Sequence, residues 1–342
     1  MDTEAASREA GLDSADTTKR SSGIVDAYAP VADQLLRVRA RLLELTDGQS
    51  PFLSELLVHV LDTTGKGIRP AITLLSSGFH PNDGTRAETM AVAVELLHLA
   101  SLVHDDTVDN ALVRRGKATV GSIWGRNAAV LVGDFIFATS AVFVCDTGNV
   151  RVIRRFSETI RELSSGELDE MAGAYNYRGT REDYFKRIYG KTASLFRTSS
   201  ESGAVLSRAS DDQVSALNDY GYNLGMAFQI ADDILDFQGS AEEAGKPVGN
   251  DLSQGVLTLP AIIAIERNPE DNPVISLCRR PGDPEVLAAA VKLCQESSIM
   301  EEASAIAEHY TKVALESLAL LDRNESRDAL EELVIALVGR RN

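Results

Sequence analysis

From residue 24 onward, apolar residues return at helical spacing in segment after segment, and no series of alternating strand-type segments interrupts them. The periodicity predicts helices over residues 24–46, 51–63, 69–79, 85–109, 126–146, 150–172, 181–208, 211–238, 258–267, 283–297, 299–322 and 326–340, which amounts to an all-α bundle. Pro30, Pro51 and Pro70 stand where helices are expected to begin, and the clusters HPNDG and CDTGN stand where they are expected to end. No Pro-, Gly- or Ser-rich linker divides the 342 residues. One large helical domain over residues 23–342 is therefore expected, preceded by a polar, disordered arm over residues 1–22 that lacks the apolar stretch of a signal peptide.

Two of these helices end in the same way. LVHDDTVD closes one with Asp105, Asp106 and Asp109, and FQIADDILDF closes another with Asp232, Asp233 and Asp236. Carboxylates so spaced repel one another by about a few tenths of a kcal/mol per pair. On a helix, the first and last Asp of each triplet lie one turn apart on one face with the middle one beside them, so each triplet presents a row of oxygens. Duplication argues against two merely solvated helix ends. Hard oxygen ligands in this number suit Mg²⁺, which keeps several waters and bridges one or two carboxylates to substrate phosphates. Two facing rows would hold a diphosphate through metal.

Cations gather around these rows in the sequence: Lys66 and Arg69, Arg114 and Arg115, Lys191, and Lys246. Adjacent arginines on a turn point in different directions and could each fork onto a separate phosphate group, so two diphosphates fit better than one. Lys246 lies in the longest irregular stretch, QGSAEEAGKPVGNDLSQGV, a candidate lid. The net charge of −17 argues against nucleic acid as a partner. Three cysteines without C-x-x-C spacing indicate neither a disulfide framework nor a zinc site and fit a reducing cytosol, hence a cytoplasmic protein. Asn127 to Cys145 is nearly long enough to cross a bilayer, but Asp134 within it favours a buried core helix, so the protein is not expected to span a membrane.

Six motifs, GKGIRP, ELLHLASLVHDDTVD, RRG, GKTASLF, FQIADDILDF and GKPVGNDLSQGVLTLP, occur in the order and arrangement of the trans-isoprenyl (polyprenyl) diphosphate synthases, which the chain after its arm resembles over nearly its whole length. The resemblance implies the isoprenoid-synthase bundle with a central cavity, usually a homodimer. It implies that Asp105, Asp106, Asp109, Asp232, Asp233 and Asp236 bind about three Mg²⁺ ions on an allylic diphosphate. By the same resemblance Arg114, Lys191 and Lys246 hold that diphosphate, Lys66, Arg69, His98 and Arg115 bind isopentenyl diphosphate, and Thr192 and Gln229 line the reacting carbons. Two positions depart from the family pattern: Gly67 stands where an extra Arg is common, and Val256 where a second Lys is common. His104, beside Asp105, is expected to support the row rather than bind metal.

Residues upstream of Asp105 bear on product length. An isoprene unit is about as long as one helical turn, roughly 5 Å, so a bulky side chain just before the row would stop growth early. Here Ala100 and Ser101 are small, which by resemblance marks an all-trans product of hexaprenyl to decaprenyl length, with Leu97 and Phe156 as candidates for the floor. A shorter geranylgeranyl or farnesylgeranyl product is the alternative. Two rival readings are a class I terpene cyclase, which the second intact Asp row opposes, and a regulatory subunit of a heteromeric synthase, which all six aspartates oppose. Release of so apolar a product raises the expectation of peripheral membrane contact.

Overall fold

The structure, a computed structural model, describes residues 26–63, 65–82, 84–238 and 248–339. The expected arm, residues 1–22, and Lys246 lie outside the described residues. Sixteen helices are found among them: α1 (Ala32–Leu43), α2 (Pro51–Asp62), α3 (Ile68–Ser76), α4 (Thr85–Val108), α5 (Val120–Trp124), α6 (Arg126–Asp146), α7 (Val150–Gly173), α8 (Arg181–Ile188), α9 (Ser194–Leu206), α10 (Asp211–Gln238), α11 (Asn250–Ser253), α12 (Leu259–Arg267), α13 (Pro273–Arg279), α14 (Pro284–Cys294), α15 (Ser297–Ala319) and α16 (Glu325–Val338). The expected all-α class is correct. One two-stranded hairpin, β1 (Val113–Arg114) with β2 (Lys117–Ala118), is the strand structure among the described residues. Helices α5, α11 and α13 were not foreseen, because segments of four to seven residues are too short to establish a 3.6-residue period.

Local chemistry explains the starts. Ser50 accepts a hydrogen bond from the Leu53 N–H with Pro51 in the first turn of α2, and Asp283 does the same for the N–H groups of Glu285 and Val286 ahead of α14. Helix α8 begins with a full capping box: Thr180 Oγ1 accepts from the Asp183 N–H, and Asp183 Oδ2 accepts from the Thr180 N–H. The Thr180 N–H, and with it the Thr180 hydroxyl, donates to Asp183 Oδ2, and these two bonds hold the Asp183 carboxyl below its ordinary value. The stability they add is present above the ordinary carboxylate range and is lost as pH falls through the depressed value. Thr180→Ala should lower the urea midpoint at neutral pH through loss of the cap, with the gap to the unmodified protein narrowing in acid by the part that the Thr180 hydroxyl contributes to the charged carboxylate.

Backbone contacts divide the chain into two compact units. The first comprises residues 1–157, 198–218 and 318–336, the second 158–197, 219–317 and 337–342. In the first unit α4 is buried nearly all round, from Ala87 to Val103. In the second, Tyr184, Met226, Ile230, Ile234 and Phe237 form a core with Leu259, Ile263, Val274, Ile299 and Ala303.

Helix α6 differs from expectation. Both α4 and α6 are long and apolar enough to cross a membrane by length and composition, yet 72% of the most apolar window of α4 is buried and only 33% of that of α6. Val130, Leu131 and Val142 stand exposed. One side of α6 packs on its own unit, while the other carries apolar side chains that the described residues leave exposed.

Candidate active site

In the first unit the Asp row falls at the C-terminal end of α4, where the helix dipole already disfavours negative charge. The chain returns a cation to offset this: Arg114 Nε donates to Asp106 Oδ1 at 2.5 Å. The hairpin makes that return possible. Its turn residues Arg115 and Gly116 both have positive φ, 51° and 76°, the twist that a two-residue hairpin requires. A left-handed arginine is uncommon, and here it sends the second guanidinium away from the first. Arg115 Nη1 donates to the Thr63 carbonyl at 3.0 Å and lies against Gly65, where an added Cβ would come within 2.7 Å of Nη1. The expectation that the two arginines diverge is therefore met.

Arg69, one residue into α3, shares the field of Arg115. Enclosure lowers its guanidinium to about 10, with Glu95 opposing and Arg115 adding to the fall. Glu95, 4% exposed in the middle of α4, is raised by burial while Arg69 and Arg115 pull it down. One turn on, His98 is held well below its ordinary value by burial and by Arg69, Arg115 and Arg114, which makes it a neutral imidazole at physiological pH. Lys66 is exposed on the same segment. Gly67 has φ +65°, a left-handed conformation that favours glycine at this departure from the family pattern.

The residues proposed to set product length also lie in this unit. Leu97 and Ala100 are 2% and 1% exposed on α4, Phe156 is 1% exposed on α7, and Ser101 Oγ donates to the His98 carbonyl at 2.8 Å. A cavity of about 30 Å³ beneath the hairpin, lined by His59, Leu99, Val103, Asp106, Arg114 and Val120, has room for about a water or two and none for a lipid tail. His104 Nε2 lies 3.3 Å from the Val130 carbonyl oxygen and 3.4 Å from Asp134 Oδ1. Gly133 leaves the space its ring occupies.

The second unit carries the other row on α10. Asp232 is exposed, whereas Asp233 is 4% exposed and accepts from Tyr184 Oη and Gln229 Nε2, both at 2.7 Å. Burial pushes the Asp233 carboxyl up to about 8 while those two donors pull it down, and Asp251 and Asp232 add to the rise. Asp236 accepts at its two oxygens from the N–H groups of Asn250 and Asp251, and so caps α11 just past Lys246. Thr192 Oγ1 donates to Gln229 Oε1 at 2.7 Å.

Between α8 and α9 the expected continuous helix is interrupted by a π turn, Tyr189–Ala193, which carries Lys191 and Thr192. Such turns cost regular hydrogen bonding and recur at functional sites. Glycines let it in: a Cβ on Gly166 of α7 would come within 2.7 Å of the Lys191 nitrogen, and one on Gly225 of α10 within 2.5 Å of Ala193 Cα. Lys191 Nζ pairs with Glu170 and, at 3.0 Å, with Glu167. Burial would lower this ammonium, but the two carboxylates more than offset it and hold it above its ordinary value.

Among the described residues no three His, Cys, Asp or Glu side chains already stand in metal-ligating geometry. The donor chemistry nevertheless fits a hard divalent cation. The middle carboxylate of each row has a donor from the protein, Arg114 for Asp106 and Tyr184 with Gln229 for Asp233. One or two carboxylates per ion, completed by substrate phosphate and water, is how Mg²⁺ is ordinarily held.

Four residues of these networks escaped the sequence reading: Glu95, Glu167, Glu170 and Tyr184. Glu95 left a signal, a lone acid inside the apolar run AVAVELLHLA, since burying a carboxylate demands nearby cations. The other three look like ordinary surface polarity in GELDEM and an ordinary core aromatic in REDYF.

Residues 50–294 match the polyprenyl synthetase family. The chain is 35% identical to solanesyl-diphosphate synthase 2, chloroplastic, of Oryza sativa subsp. japonica, over 89% of this chain and 76% of that one. A crystal structure of a decaprenyl diphosphate synthase from Rhodobacter capsulatus superposes with a TM-score of 0.87 at 33% identity, covering 93% of this chain and 99% of the other. A polyprenyl synthase from Caulobacter crescentus CB15, complexed with calcium and isoprenyl diphosphate, superposes with a TM-score of 0.85 at 33% identity over 93% and 98%.

Proposed function

Because the chain belongs to the polyprenyl synthetase family, and is a prenyltransferase of the trans-polyprenyl diphosphate synthase type, we propose that it adds isopentenyl diphosphate repeatedly to an allylic diphosphate in the presence of Mg²⁺. The product in this reading is all-trans and of hexaprenyl to decaprenyl length. The observation that carries the reading is the cradle in the first unit, where Arg69, Arg114 and Arg115 surround the field of a neutral His98 beside a row of three carboxylates. No such concentration of cations is needed to fold an otherwise acidic chain.

Asp105, Asp106, Asp109, Asp232, Asp233 and Asp236 would hold Mg²⁺ on the allylic diphosphate. When bound, the ions supply charge neutralisation for the departing diphosphate. Arg114 exchanges Asp106 for a phosphate oxygen, and Lys191 exchanges one of its two glutamates for another; Lys246 acts from the neighbouring segment. Lys66, Arg69 and Arg115 hold isopentenyl diphosphate, and His98, uncharged, hydrogen-bonds it without adding to the repulsion among the guanidiniums. The allylic C–O bond breaks with its electron pair on oxygen, and the isopentenyl double bond then attacks the cationic carbon beside Thr192 and Gln229. The proton lost afterwards goes to the released diphosphate, so no side-chain base is assigned. Fixed cations of this kind act most strongly where water is excluded.

Small residues at Ala100 and Ser101 support the longer product. The exposed apolar side of α6, with Val130, Leu131 and Val142, supports a homodimer, since a second copy is the usual cover for such a face. Free Cys145, Cys278 and Cys294 support a cytoplasmic location. Incubation of the purified protein with Mg²⁺, isopentenyl diphosphate and each allylic primer in turn should yield chain-extended diphosphates. Condensation with no primer, but activity on adding a second subunit, would establish the regulatory reading instead.

A further inference from the structure

Asp233, Gln229, Thr192, Lys191, Glu170, Arg187 and Tyr184 form a closed circuit of contacts around the π turn, all within the second unit. From Asp233 one arm runs through the Gln229 amide to the Thr192 hydroxyl. The other runs through the Tyr184 hydroxyl and ring to Arg187, whose Cζ lies 5.6 Å from the ring centroid, on to Glu170 at 3.7 Å from Arg187 Nε, and so to Lys191. Arg187 is fixed in turn by donating to the Leu257 carbonyl at 2.7 Å. Tyr184 is 1% exposed, and its hydroxyl is aimed at Asp233 Oδ2.

We propose that Tyr184 is a positioning residue for prenyl transfer: by donating to Asp233 it fixes the direction of every hydrogen bond in the arm that ends at Thr192. The assignment rests on the function proposed above and deepens it. The Tyr184 hydroxyl donates to Asp233 Oδ2, and this bond favours the charged form of the carboxyl against the burial that opposes it. With Oδ2 satisfied by Tyr184, Asp233 presents Oδ1 to Gln229, whose NH₂ must therefore point at Asp233. The Gln229 oxygen then faces Thr192, so the Thr192 hydroxyl proton is committed to Gln229. What Thr192 turns towards the reacting carbons is consequently an oxygen lone pair and not a proton. An acceptor is the group that suits a carbon acquiring positive charge, whereas a donor there would oppose it. Without the Tyr184 hydroxyl, Asp233 can rotate, the amide can flip, and Thr192 can present either face.

Tyr184→Phe keeps the ring, its packing and its stack beneath Arg187 while removing only the donor. It is expected to lower kcat by about 10- to 100-fold, the usual cost of losing a partner that orients a site ligand, with KM for isopentenyl diphosphate unchanged. Thr192→Val should lower kcat on its own, and because both changes act through one chain of bonds, the double variant should be no slower than the slower single variant within about 3-fold. Independent, multiplicative losses would overturn the proposal, as would a Tyr184→Phe enzyme with unchanged kcat. A measurement on the unmodified protein without substrate or metal decides the matter separately. By NMR the Tyr184 hydroxyl proton should exchange slowly and show a cross-peak to the Gln229 side-chain amide. Absence of both signals overturns the proposal even if the variant does not fold. An unmodified protein that condenses no primer would refute the proposed function while leaving this measurement to decide the role of Tyr184.

Discussion

Asp105→Asn is expected to reduce Mg²⁺-dependent prenyl transfer by on the order of 10³-fold or more without unfolding the protein. The loss follows from chemistry: a neutral amide oxygen is a poor ligand for a hard cation, and the charge it no longer contributes is charge that would have held metal on the leaving group. The retained fold follows from placement. Asp105 and Asp106 in the last turn of α4 and Asp109 at its C-cap crowd together, where each is opposed by its neighbours and by the helix dipole. Asp106 already has Arg114, so removing the charge of Asp105 relieves repulsion without orphaning the arginine. Steady-state rates across a Mg²⁺ titration, set beside urea unfolding curves, check both halves. Unchanged turnover would reduce the row to a solvated helix end.

Ala100→Tyr should shorten the product to about four isoprene units or fewer while preserving turnover of short allylic primers. Ala100 lies five residues before Asp105 on the same helix, about 7.5 Å along its axis, or one to two isoprene lengths from the head group. A phenol there meets the growing tail after very few additions, yet the cationic cradle and both Asp rows are untouched. Because Ala100 is 1% exposed, the larger side chain should also lower stability by about 1–3 kcal/mol, which the urea midpoint will report. Chromatography of the dephosphorylated products decides the matter, and an unchanged length distribution would end the reading of Ala100 and Ser101 as the opening of a tail channel.

The helices were largely legible because long amphipathic or buried segments write their period plainly into the sequence. Helix α4, buried almost all round, could still be read by length and by its abrupt polar ending. The π turn could not be read: GKTASLF has ordinary helix composition, and what displaces it is the close approach of Gly166 and Gly225 from distant parts of the chain. Helix α6 shows the opposite failure. Its apolar content implied a buried position, but composition records only that a surface avoids water, not whether the same chain supplies the cover. The Asp rows and the arginine pair were visible as patterns. Their partners were not, because Tyr184 to Asp233 and Lys191 to Glu170 join residues 49 and 21 positions apart and leave no local spacing to detect.

In this structure two of the cations assigned to the allylic diphosphate already hold anions of the protein's own: Arg114 holds Asp106, and Lys191 holds Glu167 and Glu170. At those two residues the binding of an allylic diphosphate exchanges one ion pair for another. Ionic strength weakens the pair given up about as much as the pair gained, so the affinity for these highly charged substrates should respond to salt far less steeply than a count of arginines and lysines implies. An enzyme built this way keeps its grip on an allylic diphosphate across a wide range of salt, and the glutamates and the aspartate beside these two cations make that exchange possible.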